Sequence, residues 1–191
     1  MKHPSCRGLH AYWTERCGER PVPERSDIAP AAIRGLLGDS FVLSGTLDGC
    51  RFRVAGTRIC ALFGRELRGE RFGSIWHPNC ALLTRDALAA VGEEGIGFVA
   101  GVEAQYGGGL ATTFELLVLP LSYRGVIGAR MLGILAAFDR PSWLGMWSAE
   151  PLRPGALRYL SRAEPSTAQE TGALDPLLPR RNFTIIDGGL V

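Results

Sequence analysis

No run of about 18 apolar residues occurs in the chain, so a membrane-spanning helix is not expected. The opening Met1-Lys2-His3-Pro4-Ser5-Cys6-Arg7 leads into no apolar stretch, which argues against a secretory leader. Together these make the cytoplasm the expected compartment. Cysteine is sparse and irregular: Cys6, Cys17, Cys50, Cys60 and Cys80 are odd in number, widely spaced and form no Cys-x-x-Cys word. That pattern fits free thiols in a reducing compartment, not a disulfide framework. Histidine is scarcer still, at 3 residues. A Ser-His-Asp set would have to press His10 or His77 into a role that nothing else suggests. Neither a Gly-x-Ser-x-Gly elbow nor an HExxH word is present. An enzyme is therefore not the expected class. Net charge is small, 21 basic against 19 acidic residues, or +2, which excludes nucleic-acid binding by bulk electrostatics. All but one of the basic residues are arginine, scattered along the chain, which reads as the composition of a GC-rich genome.

What is present is an ordinary globular composition over 191 residues, 46% hydrophobic and 21% charged, enough for a sizeable core. Residues 3–18 read as a short amphipathic helix with Ser5 as N-cap and Gly18 as C-cap, carrying Leu9, Trp13 and Cys17 at helical spacing. A Pro-rich charged connector, residues 20–27, leads to a second helical stretch over 30–37. Two strands follow at 41–47 and 50–54, joined by the Asp48-Gly49 turn signal. Thr57 can cap a helix that ends at Gly64, residues 64–78 are irregular, and helical periodicity returns over 79–91. Strands are then predicted at 98–106, 110–121 and 129–138, with Gly107-Gly108-Gly109 as the first hairpin turn. Glu115, Leu117, Leu119 and Leu121 share one face of the second of these, so it is expected to be covered on both sides. Six prolines punctuate residues 140–180, with a short helix predicted at 155–161, a flexible linker at 164–171 and a late strand near 181–189. Strands on either side of a helical block, joined by hairpins, indicate an α+β fold with an antiparallel sheet.

His3, Cys6, His10 and Cys17 are metal-capable residues within fifteen positions. Residues 3 and 17 of a straight helix lie about 21 Å apart, so all four cannot share an ion. No metal site is expected. Glu115, among leucines, needs a buried partner. Arg58 and Arg130 are candidates for a structural bond, and the alternative is a polar anchor in a ligand cavity. Gln105 carries the same ambiguity. Gly107-Gly108-Gly109 opens a strand, not a helix, so it lacks what a phosphate loop uses.

The order of elements resembles the PAS fold, a five-stranded antiparallel sheet with helices inserted between strands two and three. Gly64-Arg65-Glu66-Leu67-Arg68-Gly69, followed by Ile75-Trp76-His77-Pro78, is similar to a stretch characteristic of that fold. More narrowly, the chain resembles a bacterial family of short single-PAS proteins, the PAS_5 group. The words that carry this are Tyr12-Trp13, Pro21-Val22-Pro23, Asp27-Ile28-Ala29-Pro30, Phe52-Arg53-Val54-Ala55-Gly56-Thr57-Arg58, Phe63-Gly64-Arg65-Glu66-Leu67, Leu119-Pro120-Leu121 and Arg130-Met131-Leu132-Gly133. The resemblance implies an N-terminal helical extension and connector over 1–38, a PAS core over 39–140, and a Pro-rich, partly flexible tail over 141–191.

Such domains sense small ligands, hold cofactors or mediate protein contacts. The cofactor is left unknown. A LOV-type flavin adduct is argued against because Phe72 stands where the reactive Cys would. Haem is argued against because the 79–91 helix contains no His, and His77 just before it reads as a structural residue. Two functions remain. One is a regulatory module acting through protein–protein contacts, as a homodimer or with an unidentified partner, through Leu9, Trp13 and Cys17; Trp13→Ala is then expected to weaken dimerisation. The other is a sensor holding a small molecule between sheet and helices. Val54, Arg58, Phe63, Phe72, Trp76, Phe98, Phe114 and Glu115 are its cavity candidates, with Ile59, Leu83 and Leu132 beside them. A filled core and a lined pocket use the same residue types.

Overall fold

The computed structural model describes residues 1–45 and 49–160. It places α1 at Pro4–Cys17, β1 at Ser40–Ser44, β2 at Arg51–Ala55, α2 at Thr57–Leu62, α3 at Ala81–Ala89, β3 at Phe98–Tyr106, β4 at Leu110–Tyr123, β5 at Val126–Ala137 and β6 at Arg153–Tyr159. All the strands join one antiparallel sheet in the order β2-β1-β5-β4-β3-β6. The first five are the strands expected of the PAS arrangement, with α2 and α3 between β2 and β3. No helix among the described residues is long and apolar enough to cross a membrane.

The sixth strand replaces the short helix predicted at 155–161. Pro154 and Gly155 give that segment little helical preference. The open edge of β3 offers it a ladder instead, from Glu103↔Arg153 to Phe98↔Tyr159. Pairing with a neighbour overrides local preference here, as is usual for strands. The stretch over 30–37 is likewise not one helix but a 3-10 turn at Pro30–Ile33, with another at Leu37–Asp39. The cap of helix α1 lies two residues before the expected Ser5. It is His3, whose Nδ1 accepts the Ser5 N–H at 3.1 Å, and Pro4 takes the first helical position. The predicted linker at 164–171 and late strand near 181–189 lie outside the described residues, as does Asp48 of the predicted turn.

The sheet divides the core into two layers. On its inner face Phe41, Phe52, Phe98, Ala100, Val102, Phe114, Leu116 and Val118 meet Ile59, Leu62, Leu67, Phe72, Trp76 and Leu88 from the helical block. On its outer face Leu117, Leu119, Leu121, Leu132 and Ile134 meet Cys6 and Leu9 of α1. Strand β4 is thus buried on both sides over 114–122, as its continuous apolar run requires. The connector is tied to the same face. Glu24 accepts from Ser122 Oγ at 2.6 Å and from Arg124 N at 2.8 Å.

Candidate functional site

Four aromatic rings fill the space between sheet and helices. Phe72 sits between Phe41, Phe52 and Trp76, with ring centroids 5.7, 5.6 and 5.7 Å away. It enters from the 3-10 turn Phe72–Ile75, which lies against β2 because Phe52 and Cys50 exchange backbone bonds with Glu70, Gly69 and Phe72. Phe63, Phe98 and Phe114 complete this layer, each buried. The void left beside Phe72, Trp76, Leu83 and Phe98 is about 10 Å³, no more than the space of one water. Trp76 Nε1 and the Tyr106 hydroxyl are buried in this layer without a hydrogen-bond partner, and burial pushes the Tyr106 phenol up to about 12.

Five of the cavity candidates, Phe63, Phe72, Trp76, Phe98 and Phe114, are brought together there. Val54 and Glu115 are not, and Arg58 reaches only the rim, where it shares a recess of about 150 Å³ with Ile59 and Phe114. Val54 lies on the opposite face of the sheet and is 53% exposed. The cause is a bulge: Leu43 pairs with Phe52 but Val42 pairs with Val54, so Arg53 is the extra residue and the face alternation inverts across it. Leu132 is also on the outer face, opposite Val42.

Arg58 is half-exposed and turned to Asp39, not to Glu115. Its Nε and Nη2 hold the two Asp39 oxygens at 2.6 and 2.8 Å, and Arg140 Nη2 shares Oδ2 at 2.6 Å. The buried Asp39 therefore joins the turn before β1, the start of α2 and the segment after β5. Sequence reading missed it, since its partners lie 19 and 101 residues away. Arg130 lies over the Tyr123 ring, 4.3 Å from its centroid. Gln105 is exposed and bonds Glu103.

Glu115 faces outward beneath the start of α1. Its carboxylate accepts the backbone N–H groups of Lys2 at 2.6 Å and His3 at 2.8 Å, a cap on the helix N-terminus supplied by another element. Burial alone would raise its pKa. The Lys2 and His3 N–H groups, the Cys6 thiol and the chain's amino terminus outweigh that and hold it below the ordinary glutamate value. Burial first, then Glu115, pushes the Cys6 thiol upward. The four metal-capable residues of this helix are in separate roles. His3 caps, its Nε2 donating to the Ala137 carbonyl given that Nδ1 accepts. Cys6 is fully covered by the sheet, His10 lies tilted 6.1 Å from the Trp13 ring, and Cys17 is buried at the far end.

The residues offered as a dimer face are turned onto their own sheet. Leu9 is fully buried, Cys17 is buried, and Trp13 Nε1 donates to the Pro120 carbonyl at 2.8 Å. Trp13→Phe is therefore expected to lower stability by about 1 kcal/mol, the usual contribution of one such bond. Urea denaturation checks this, with an unchanged mass by light scattering.

An antiparallel sheet in the order 2-1-5-4-3, with helices on its inner face between strands two and three, is the PAS arrangement. Residues 1–136 match the model of the PAS_5 family, a PAS domain, and the chain belongs to that family. Among solved structures it is similar to the PAS domain of an HTR-like protein from Haloarcula marismortui, at 16% identity and a TM-score of 0.37 over 56% of this chain and 90% of that one. It is also similar to the periplasmic sensor domain of a chemotaxis protein, at 17% identity and a TM-score of 0.33 over 71% and 89%. No curated protein matches. The chain thus carries a PAS domain.

Proposed function

We propose that this chain is a cytoplasmic regulatory PAS protein that works through protein–protein contacts, as a homodimer or with another protein. The observation that carries this reading is the filled inner layer. With about 10 Å³ beside Phe72 and Trp76 and about 150 Å³ at the rim beside Arg58, Ile59, Phe114 and Leu135, a ligand of ordinary size, needing about 300–1,000 Å³, would have to displace packed side chains. Exposed apolar side chains give contacts something to use. Met146 and Trp147 of the β5–β6 connection are 77% and 57% exposed, and methionine and tryptophan are residue types that interfaces favour.

A second reading, a ligand sensor, rests on two buried donors of the inner layer that lack partners, Trp76 Nε1 and the Tyr106 hydroxyl. Buried polar groups are normally paired, and a polar ligand entering by rearrangement of the aromatic layer would satisfy them. Native mass spectrometry of protein purified from its source, with an absorbance spectrum, separates the two. Bare dimer mass and a flat spectrum are expected. A visible chromophore, or an excess mass per chain that disappears on denaturation and persists in the outer-face variant Val54→Glu, would replace the contact reading with the sensor reading.

A further inference from the structure

Helix α1 has 14 residues and packs on β4 and β5, the middle of a six-stranded sheet. It has no packing of that extent with β1 or β2. Their outer face is left to the segment from Arg25 to Asp39, which bridges the sheet edge without closing on it. The result is a cleft of about 390 Å³ with Ile28, Ile33, Leu37, Val42, Val54 and Leu132 in its wall. Volume and lining both fall within the usual range of small-molecule sites, about 300–1,000 Å³. Leu37 and Val54 remain 39% and 53% exposed there, apolar surface that the chain itself leaves uncovered.

The cleft opens at one end into a second recess of about 510 Å³, the two sharing Arg25, Val42, Val54 and Ala55. The character of the wall changes there. Arg25, Arg53, Arg68 and Arg130 line the recess with Tyr123 and a single acid, Glu66. None of these four arginines forms an ion pair among the described residues, whereas six others do. Arg130 is already oriented by the Tyr123 ring and the Ala129 carbonyl. Glu66 is occupied by the Arg68 N–H and the Cys60 thiol. Cationic forks at one end of an apolar trough are complementary to a molecule with an anionic head and an apolar body. The chain shows the same chemistry internally, where Arg58 and Arg140 share the Asp39 carboxylate.

We propose that this outer-face cleft binds a single-chain amphiphile with a carboxylate head, taken up as a monomer, the chain lying over Val42, Val54 and Leu132 and the head meeting Arg53 and Arg68. The site lies on the face opposite the aromatic layer. It is therefore independent of whether the inner layer ever admits a ligand. Its position beside the Arg25–Asp39 segment means that occupancy would fill the gap between that segment and β2.

The test is calorimetric titration of the full chain with laurate below its micelle concentration. One-to-one binding is expected. Arg53→Gln/Arg68→Gln, both exposed and free of ion pairs among the described residues, is expected to keep the thermal midpoint and to weaken laurate binding about tenfold or more. Val54→Glu, at an exposed floor position, is expected to abolish it. Several results would overturn the assignment: no laurate binding, equal binding of dodecyltrimethylammonium or dodecyl maltoside, or an unchanged constant in the double variant. Tighter binding of dodecyl phosphate would move the head chemistry to phosphate. Binding confined to phosphatidylglycerol vesicles would make the cleft a bilayer contact and likewise end the proposal.

Discussion

Replacing Gly133 by alanine is expected to destabilise the protein severely. Gly133 lies in the middle of β5, directly opposite Phe41 of β1. The Phe41 ring lies over it, and a Cβ built on Gly133 would collide with the ring's Cζ and Cε atoms. The ring has nowhere to retreat. Phe52 and Phe72 stand 5.7 Å from it on the other sides, and Phe41 is itself 2% exposed. The cost is expected at or above the top of the range of about 1–3 kcal/mol usual for overpacking. Phe41→Ala alone is expected to cost about 3–5 kcal/mol through the cavity it leaves. The two should not add. With the ring gone the new methyl group has room, so the double variant is expected to be more stable than the sum of the singles predicts, by about 1–3 kcal/mol. Urea denaturation of the four proteins measures this. Strict additivity would mean that Phe41 does not occupy the space above Gly133.

That pairing shows where sequence reading stops. Strands β3, β4 and β5 were legible because alternation and turn residues are local signals, and hairpins join neighbours in the chain. Which face a residue occupies was not legible where alternation breaks or ceases to inform. The extra residue Arg53 inverts the face of Val54, and nothing in Phe52-Arg53-Val54 marks a bulge. On β4 and β5 both faces are apolar, so Leu132 and Glu115 carried no sign of side. Glu115 was recognised as a carboxylate in need of a partner, but its partners are backbone N–H groups of residues 2 and 3, more than a hundred positions away. A search among arginines could not find them. The sixth strand was missed for a related reason. Its cause is the open edge of β3, a property of the folded sheet and not of residues 153–159. Phe63, Phe72, Trp76, Phe98 and Phe114 of the aromatic inner layer are legible as cavity candidates, whereas Phe41 and Phe52, which meet Phe72 from β1 and β2, are not. Whether that layer encloses a cavity depends on ring orientations such as that of Phe72, which composition does not encode. The outer cleft depends on α1 packing on β4 and β5 with no comparable packing on β1, a difference in reach between two elements.

Glu115→Gln is expected to release the N-terminal helix without unfolding the sheet. The carboxylate accepts two backbone N–H groups at once. A carboxamide of the same shape can accept only one with its oxygen and turns a second donor against the other. A hydrogen bond to a charged acceptor contributes about 1.5–3 kcal/mol, and a loss of that size is expected at neutral pH. The pH dependence identifies the cause. The folded pKa of Glu115 lies below the ordinary glutamate value of 4.5, so the unfolded state binds the proton first as pH falls. Its contribution is fully present above about pH 5 and is lost as pH drops through the lower folded value. The stability difference between wild type and Glu115→Gln should thus be constant from pH 8 to 5 and shrink at pH 3.5. Locally, the release should appear at Cys6, which is fully buried on the sheet-facing side of α1 beside the Glu115 carbonyl. In the wild type its thiol, pushed upward by burial, should resist maleimide. In Glu115→Gln at pH 7.5, peptide mapping should show Cys6 labelled faster while buried Cys50 on the inner face stays protected. Equal acceleration at both sites would mean global unfolding and not a helix held at its first turn. No acceleration at Cys6 would mean that α1 is held by Leu9 and Trp13 alone, with the carboxylate adding nothing to its docking.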